Sequence, residues 1–311
     1  MRILIVCSGN APHFDFQKHQ AFIYDQAEAL KQAEPGIQID YFFIKGKGIM
    51  GYLSCWGKLR RQLKEQDYTC IHAHVTLSGL LANLQRKVPV VTTFHGSDIN
   101  FPILRVISLV VDILSRRTIY ISQNLVSKAL FTGKSKSVVI PCGVDFDLFV
   151  PGNKEQSRQL LGLSPHKRYI LFSSHFDNTV KNYPLARQAA ELVKDPMLEI
   201  LELKNYSRAE VALLFTAVDM ALMTSYSEGS PQFVKEALAC NCPVVSTDVG
   251  DVREIMREIT GCYITTYEPA DIAEKISQVL FHAKPVAARD HVLGFDNRLI
   301  AKRILDVYHQ L

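Results

Sequence analysis

Met220-Ala221-Leu222-Met223-Thr224-Ser225-Tyr226-Ser227-Glu228-Gly229-Ser230-Pro231-Gln232-Phe233-Val234-Lys235-Glu236-Ala237-Leu238-Ala239 is the stretch whose reading decides the fold. Met220–Thr224 is short, apolar and bounded by polar residues, which predicts a buried strand. Glu228, Gly229 and Ser230 read as a loop. Pro231 suits the first position of a helix, where its missing N–H costs nothing, and Ser230 suits the cap before it. A strand, a glycine-containing loop and a helix N-terminus in succession form a ready-made anion site. Glu228 lies in the loop and Glu236 five residues beyond Pro231, a span of roughly 7.5 Å along a helix. Carboxylates so placed accept hydrogen bonds from sugar and ribose hydroxyls. Two surface glutamates on a capped amphipathic helix would give the same pattern.

Working outward, the same unit repeats. Ile3–Cys7, Ile37–Ile44, Thr69–His74, Val88–Phe94, Thr118–Ile121 and Ser137–Ile140 are predicted strands. Helical patterns fall between them, from about Gln20 to Ala33, Trp56 to Gln66 and Ser78 to Gln85, then through Ser115 and from a Ser122 cap. Pro141 to Pro151 interrupts the series. It restarts at Tyr169–Ser173, Leu198–Leu201, Met220–Thr224, Val244–Ser246 and Cys262–Ile264. Ser207 and Glu210 form a capping box for a helix to Ala217, and Asp296 to Leu311 reads as a final helix. Strand–helix alternation means parallel sheets covered on both faces. The expectation is α/β: two doubly wound domains, 1–143 with the terminal helix 296–311, and 152–295, joined by a linker at 144–151.

The chain has 311 residues, too many for one core. Its seven cysteines show no framework spacing and no CxxC pair, so neither zinc nor a redox pair is suggested. Reduced thiols in the cytosol are expected. The apolar run after Met1-Arg2 is too short for a signal peptide. Ile103 to Leu114, the best apolar stretch, is interrupted by Arg105 and Asp112 and predicts no membrane span. Charge is uneven. Residues 1–143 carry 17 Lys and Arg against 9 Asp and Glu, a net +8, while the remainder carries 18 against 22, a net −4. The basic half suggests an anionic partner. Lys45-Gly46-Lys47-Gly48-Ile49-Met50-Gly51-Tyr52, with Lys58, Arg60, Arg61 and Lys64 after it, suits an interfacial or lipid-acceptor contact.

Ligands of such sheets bind beyond the carboxyl ends of strands. Three polar clusters fall there: His72 and His74, then His95-Gly96-Ser97-Asp98, then Ser225–Ser230. Together they favour a cleft between the domains. A fourth element, Ser173 to Asn182, holds His175, Asn178 and Lys181, and a lysine there can reach a phosphate as a point charge. Asp145-Phe146-Asp147 mimics a metal-binding pattern but falls in the expected linker and reads as structural.

These residues carry a resemblance. The sequence resembles the retaining glycosyltransferases of the GT-B fold with the E-x7-E motif, here Glu228 and Glu236. Ile71-His72-Ala73-His74, Thr93-Phe94-His95-Gly96-Ser97-Asp98, Ile140-Pro141-Cys142-Gly143-Val144-Asp145, Glu228-Gly229-Ser230-Pro231 and Pro243 to Gly250 look like its signatures in order. The nearest likeness is to family 4-like bacterial enzymes of surface-polysaccharide or teichuronic-acid synthesis. The resemblance implies two Rossmann-like domains facing across a cleft, with the final helix crossing back to the first. It implies a nucleotide-sugar donor, a UDP-sugar, held by Glu236 at the ribose and by Gly229, Ser230 and Pro231. Asn178, His175 and Gly9 complete the donor set. Glu228 would contact the donor sugar, Lys181 the diphosphate and His95 the reacting sugar, with Asp98 and His74 on the acceptor side. No metal and no cofactor is implied, the donor being a substrate. The acceptor would be a glycan or a polyprenyl-diphosphate-linked saccharide, and nucleic acid is not among the partners. A cytoplasmic protein, peripheral on the inner face of an anionic membrane, is expected. The family usually has an arginine shortly before the lysine matched by Lys181, and here Asn178 stands in its place. A sugar-nucleotide epimerase of the same fold and a non-catalytic nucleotide-sugar-binding subunit are the alternatives.

Overall fold

The computed structural model describes residues 1–130, 132–133, 135–282 and 286–311, with the backbone alone of Ser97 and Asp98. The chain divides into two compact units, Met1–Gly143 with Asn297–Leu311, and Val144–Asp296.

The first unit is built on six parallel strands: β1 (Arg2–Ser8), β2 (Gln38–Ile44), β3 (Cys70–His74), β4 (Val90–Phe94), β5 (Arg117–Tyr120) and β6 (Ser137–Val139), in the order β2-β1-β3-β4-β5-β6. Residues of β3 and β4 are buried throughout, which is why they read as continuous apolar or β-branched runs. One face carries the helices Gly48–Leu53, Trp56–Glu65 and Thr76–Asn83, whose Tyr52, Leu59 and Leu81 pack on Leu4, Val6 and Ile71. On the other, the helices Ala21–Ala33 and Asn297–His309 close over Ile3, Val91 and Ile119. The terminal helix is therefore part of the first unit.

The second unit has five parallel strands: β7 (Arg168–Phe172), β8 (Leu198–Glu202), β9 (Met220–Met223), β10 (Val244–Thr247) and β11 (Tyr263–Thr265), in the order β11-β10-β9-β7-β8. In each sheet the order reverses once, between β1 and β3 and between β7 and β9. Those switch points open a crevice at the carboxyl ends of the strands. The α/β class and the doubly wound sheets agree with the sequence reading.

Two details differ from it, and the structural reading of Asp145-Phe146-Asp147 agrees. Residues 144–151 are not a linker: Val144, Phe146 and Phe149 are buried in the core of the second unit, and Val144 pairs with Asp296. The prolines and glycine around this stretch mark a turn, while its alternate apolar side chains still find a core. Helices at Lys154–Leu160 and Val252–Ile255 were not expected, being short and largely polar outward. Asp145 accepts from the N–H groups of Asp147 and Leu148 at 2.9 and 3.0 Å, so the Asp145-Phe146-Asp147 pattern is a local turn.

Candidate active site

In the second unit the two loops at the switch point follow β7 and β9. The loop after β7 ends in a short 3-10 turn, Thr179–Lys181, and Asn182 then takes a left-handed conformation that starts the helix Tyr183–Val193. The loop after β9 is fastened to it. Thr224 Oγ1 donates to the carbonyls of Lys181 and Asn182 at 3.0 and 2.9 Å, and the Tyr226 N–H donates to Val180. On the other side, Thr247 Oγ1 and the Tyr267 hydroxyl both donate to the Ser225 carbonyl at 2.9 Å. Gly250, at φ +62, lies against the Gly229 carbonyl, which a Cβ would approach to 2.9 Å. The backbone of this loop is thus held from both sides before any ligand arrives.

Lys181 and Glu228 meet across the two loops, with Nζ donating to Oε1 at 2.6 Å. Both side chains are mostly buried, at 21 and 14% exposure. Glu236 lies on the helix Gln232–Ala239, nearly every residue of which is buried. Its Oε1 is 2.9 Å from Arg208 Nη1, and the Arg208 guanidinium covers the Phe149 ring at 4.7 Å. Burial holds the Asp251 carboxyl above its usual range, opposed by the Lys235 ammonium.

The helix starts one residue later than expected. Pro231 is its capping residue, extended at ψ 117°, and Ser230 precedes the cap. Asn178, expected to stand where an arginine is usual, is engaged within its own loop. Its side chain accepts from the Val180 N–H at 3.2 Å and donates to Ser174 Oγ at 3.3 Å, so it shapes the turn before Lys181. His175 is exposed, and its carbonyl accepts from the Asn178 N–H.

In the first unit, His74 ends β3 and His95 follows β4. His74 Nδ1 and His95 Nε2 are 2.9 Å apart, and His95 Nδ1 lies 3.7 Å from Cys142 Sγ. Phe22 packs on the His95 ring. Val75, a β-branched residue at φ +69, turns the chain directly after His74, a strained conformation of the kind that clusters at functional sites. His72 has another role. It is fully buried, with Nδ1 2.6 Å from the Tyr308 hydroxyl and Nε2 2.7 Å from Thr93 Oγ1, and it ties the terminal helix to the sheet. Burial and the neighbouring His95 lower its pKa to about 3; burial, His72 and His95 hold His74 well below the ordinary histidine value. Gly9 donates its N–H to Ile44 at the end of β1, and a Cβ there would meet Phe43 at 2.9 Å. Gly9 thus belongs to the first unit, and the other residues of the expected donor set belong to the second. The Asp98 side chain lies outside the described residues.

Two contributors escaped the sequence reading. Arg208 was visible only as the first helical residue after the Ser207 cap; nothing in the spacing ties it to Glu236. Asn10 clasps the backbone of Gly46, accepting from its N–H at 2.6 Å and donating to its carbonyl at 2.8 Å. Among the described residues no group of three His, Cys, Asp or Glu side chains could hold a metal ion, and no helix is long and apolar enough to cross a membrane.

Strand order, the paired loops and the two carboxylates define a class before any comparison. Residues 10–148 match the family model Glycosyltransferase Family 4, and residues 182–282 match Glycosyl transferases group 1. The chain therefore combines these two domains on the two-unit fold of the GT-B glycosyltransferases. Among relatives, the D-inositol 3-phosphate glycosyltransferase of Mycolicibacterium smegmatis is 27% identical over 273 residues, 72% of this chain and 63% of its own. That of Actinosynnema mirum is 26% identical over 316 residues, 82% of this chain and 76% of its own. The chain spans about two thirds of the length of the first relatives it matches. Among solved structures, the sucrose-phosphate synthase of Thermosynechococcus elongatus aligns with a TM-score of 0.85 at 16% identity, covering 99% of this chain and 98% of that one. Anabaena HepE in complex with UDP and glucose aligns with a TM-score of 0.76 at 17% identity, covering both chains fully at 100%. At such identities the likeness is one of fold.

Proposed function

We propose that this chain is a retaining glycosyltransferase. It would move a sugar from a nucleotide-diphosphate sugar, a UDP-sugar, to a saccharide or lipid-linked saccharide acceptor in the synthesis of cell-surface glycan. The observation that carries the reading is the pairing of Lys181 with Glu228 at the switch point of the second sheet, with Glu236 about one turn into the adjoining helix. In the transfer, an acceptor oxygen bonds the anomeric carbon as its bond to the diphosphate oxygen breaks, and the acceptor proton passes to the leaving diphosphate. Charge grows on that leaving group, so a fixed ammonium and backbone amides aimed at it lower the barrier. Lys181 and the amides of Gly229 and Ser230 supply them, and no metal is required.

Glu228 orients the donor sugar, and releases Lys181 to the diphosphate when the donor enters. Glu236 binds the ribose, with Arg208 orienting its carboxylate. His95 acts on the reacting sugar, steadied by His74. The names of the relatives, which transfer a sugar to D-inositol 3-phosphate, and the UDP bound by HepE support a nucleotide-sugar donor.

The test is UDP release from a panel of UDP-sugars, with and without glycan and lipid-linked acceptors. Acceptor-dependent release supports transfer. Conversion of the donor alone into its epimer, or tight donor binding with no release over the panel, replaces it with the epimerase or the binding-subunit reading.

A further inference from the structure

The helix Pro102–Leu114 carries an apolar stripe on its outer face as well as a mixed inner one. Its polar side chains face the protein: Ser108 and Asp112 are buried, and Asp112 Oδ1 accepts from Thr118 Oγ1 at 2.8 Å and from the Tyr120 hydroxyl at 3.3 Å. Val111 is buried with them and Ile107 packs on the same core, while Ile103, Val106, Val110 and Ile113 face out at 69, 56, 44 and 59% exposure. At 100° per residue these four fall within about 80° of arc, and ten residues of rise make the stripe about 15 Å long. A helix in water carries its polar groups outward, so this outer face is built for an apolar surrounding.

What covers it is indicated by the charge at its end. A cavity of about 610 Å³ opens beside Ile113 and Leu114, at the amino ends of β4 and β5, the edge opposite His74 and His95. Arg86, Lys87, Arg116, Arg117 and Lys136 line it, and no carboxylate does. Lys136 is committed to the helix end, donating to the carbonyls of Asp112, Ile113 and Ser115. Arg86 and Arg117 each give one N–H to a carbonyl, of Leu114 at 3.3 Å and of Ser135 at 2.7 Å. An arginine has five such donors, so both keep most of theirs.

We propose that this face is a membrane-docking surface: the stripe enters the acyl boundary of an anionic leaflet while Arg86, Lys87, Arg116 and Arg117 bind lipid phosphates. An apolar helix face flanked by basic residues binds in this interfacial way. A helix of 13 residues is too short to span the bilayer and lies in its plane. The surface is made by residues other than those of the Lys45–Lys64 stretch to which sequence reading assigned the contact. It bears on how a lipid-linked acceptor would be reached, yet its test needs no turnover, so it stands or falls apart from the transferase reading.

The test is flotation with vesicles of phosphatidylcholine alone and of equal parts phosphatidylcholine and phosphatidylglycerol, at low and at physiological salt. Binding is expected only with phosphatidylglycerol, weakening with salt. Arg86→Gln with Arg116→Gln should lower affinity about 25-fold, about fivefold for each charge at the surface. Ile103→Glu with Val110→Glu should abolish binding with the melting temperature unchanged, since both side chains are exposed. Equal binding to the two vesicle types, or wild-type binding by either double variant, overturns the proposal. So does glycerol phosphate stabilising the wild type and the Ile103→Glu, Val110→Glu variant alike without vesicle binding, which would mark a site for a free phosphate. A concentration-dependent dimer lost in that variant, again without vesicle binding, would instead make a second copy the occupant.

Discussion

Lys181 Nζ and Glu228 Oε1 are 2.6 Å apart, although 47 residues separate them in the chain. Each neutralises the other in a mostly buried setting, where a lone charge would be costly. On the proposed reading, a donor that brings a diphosphate would compete with Glu228 for the ammonium, and its sugar hydroxyls with Lys181 for the carboxylate.

The first prediction follows. Lys181→Ala should lower turnover on the order of 10²–10³, the loss expected for one donor to a developing anion. It should also destabilise the fold, because Glu228 is left without its ammonium. Adding Glu228→Gln to Lys181→Ala should recover the melting temperature but not the turnover. Steady-state kinetics and melting curves of the two single variants and the double variant separate these effects. Near-wild-type turnover of Lys181→Ala would remove the site.

Glu236 sits 2.9 Å from Arg208, and a ribose contact made equally before and during the reaction contributes to binding rather than to the barrier. Glu236→Gln should weaken UDP binding with turnover at saturation close to normal. Arg208→Ala should act in the same direction, since it unfastens the carboxylate. Titration calorimetry with UDP, beside kcat, checks both; a fall in kcat with UDP affinity intact would place Glu236 in the chemistry instead.

Much of this arrangement was legible beforehand, for identifiable reasons. Strands buried on both faces are short runs of Ile, Val, Leu and Thr, and those survive in any reading of the chain. The Ser207–Glu210 capping box was local and is present as expected. Lys181, Glu228 and Glu236 stood out because each follows a strand at the edge where such sheets bind ligands. Contacts set by packing were not legible. Nothing local shows that Phe149 lies under Arg208, or that Asn178 spends its side chain on its own turn. The stretch 144–151 misled because Pro141, Gly143 and Pro151 in and before it outweighed Val144, Phe146 and Phe149. In Ile103 to Leu114, Asp112 looked like a break in an apolar run, whereas the structure turns it inward and leaves Ile103, Val106, Val110 and Ile113 outside.

Gly250 is required by the approach of Gly229. Its φ of +62° is costly for an L-residue, and a Cβ would come within 2.9 Å of the Gly229 carbonyl. Gly250→Ala should therefore destabilise the second unit by about 1–3 kcal/mol and displace the Gly229 amide. UDP affinity should fall along with the melting temperature. A variant with wild-type values of both would show that this contact relaxes without moving the loop.

The histidines of the first unit make the stability of the chain pH-dependent. His72 has a folded pKa of about 3, and His74 is also held well below its ordinary value, burial being the first cause in both. In the unfolded chain each titrates near 6.5. Both are neutral when folded, so the unfolded state binds more protons as pH falls below about 6.5. Stability is full above that value and declines below it, continuing for His72 down to about pH 3, by about 1.4 kcal/mol per pH unit for each group. Urea midpoints between pH 7 and 5 should fall more steeply than in His72→Gln, whose slope should be smaller by one proton. His74→Asn should remove a second proton while keeping a polar partner for His95 Nε2. Parallel slopes in the wild type and both variants would mean that these rings take up protons without unfolding.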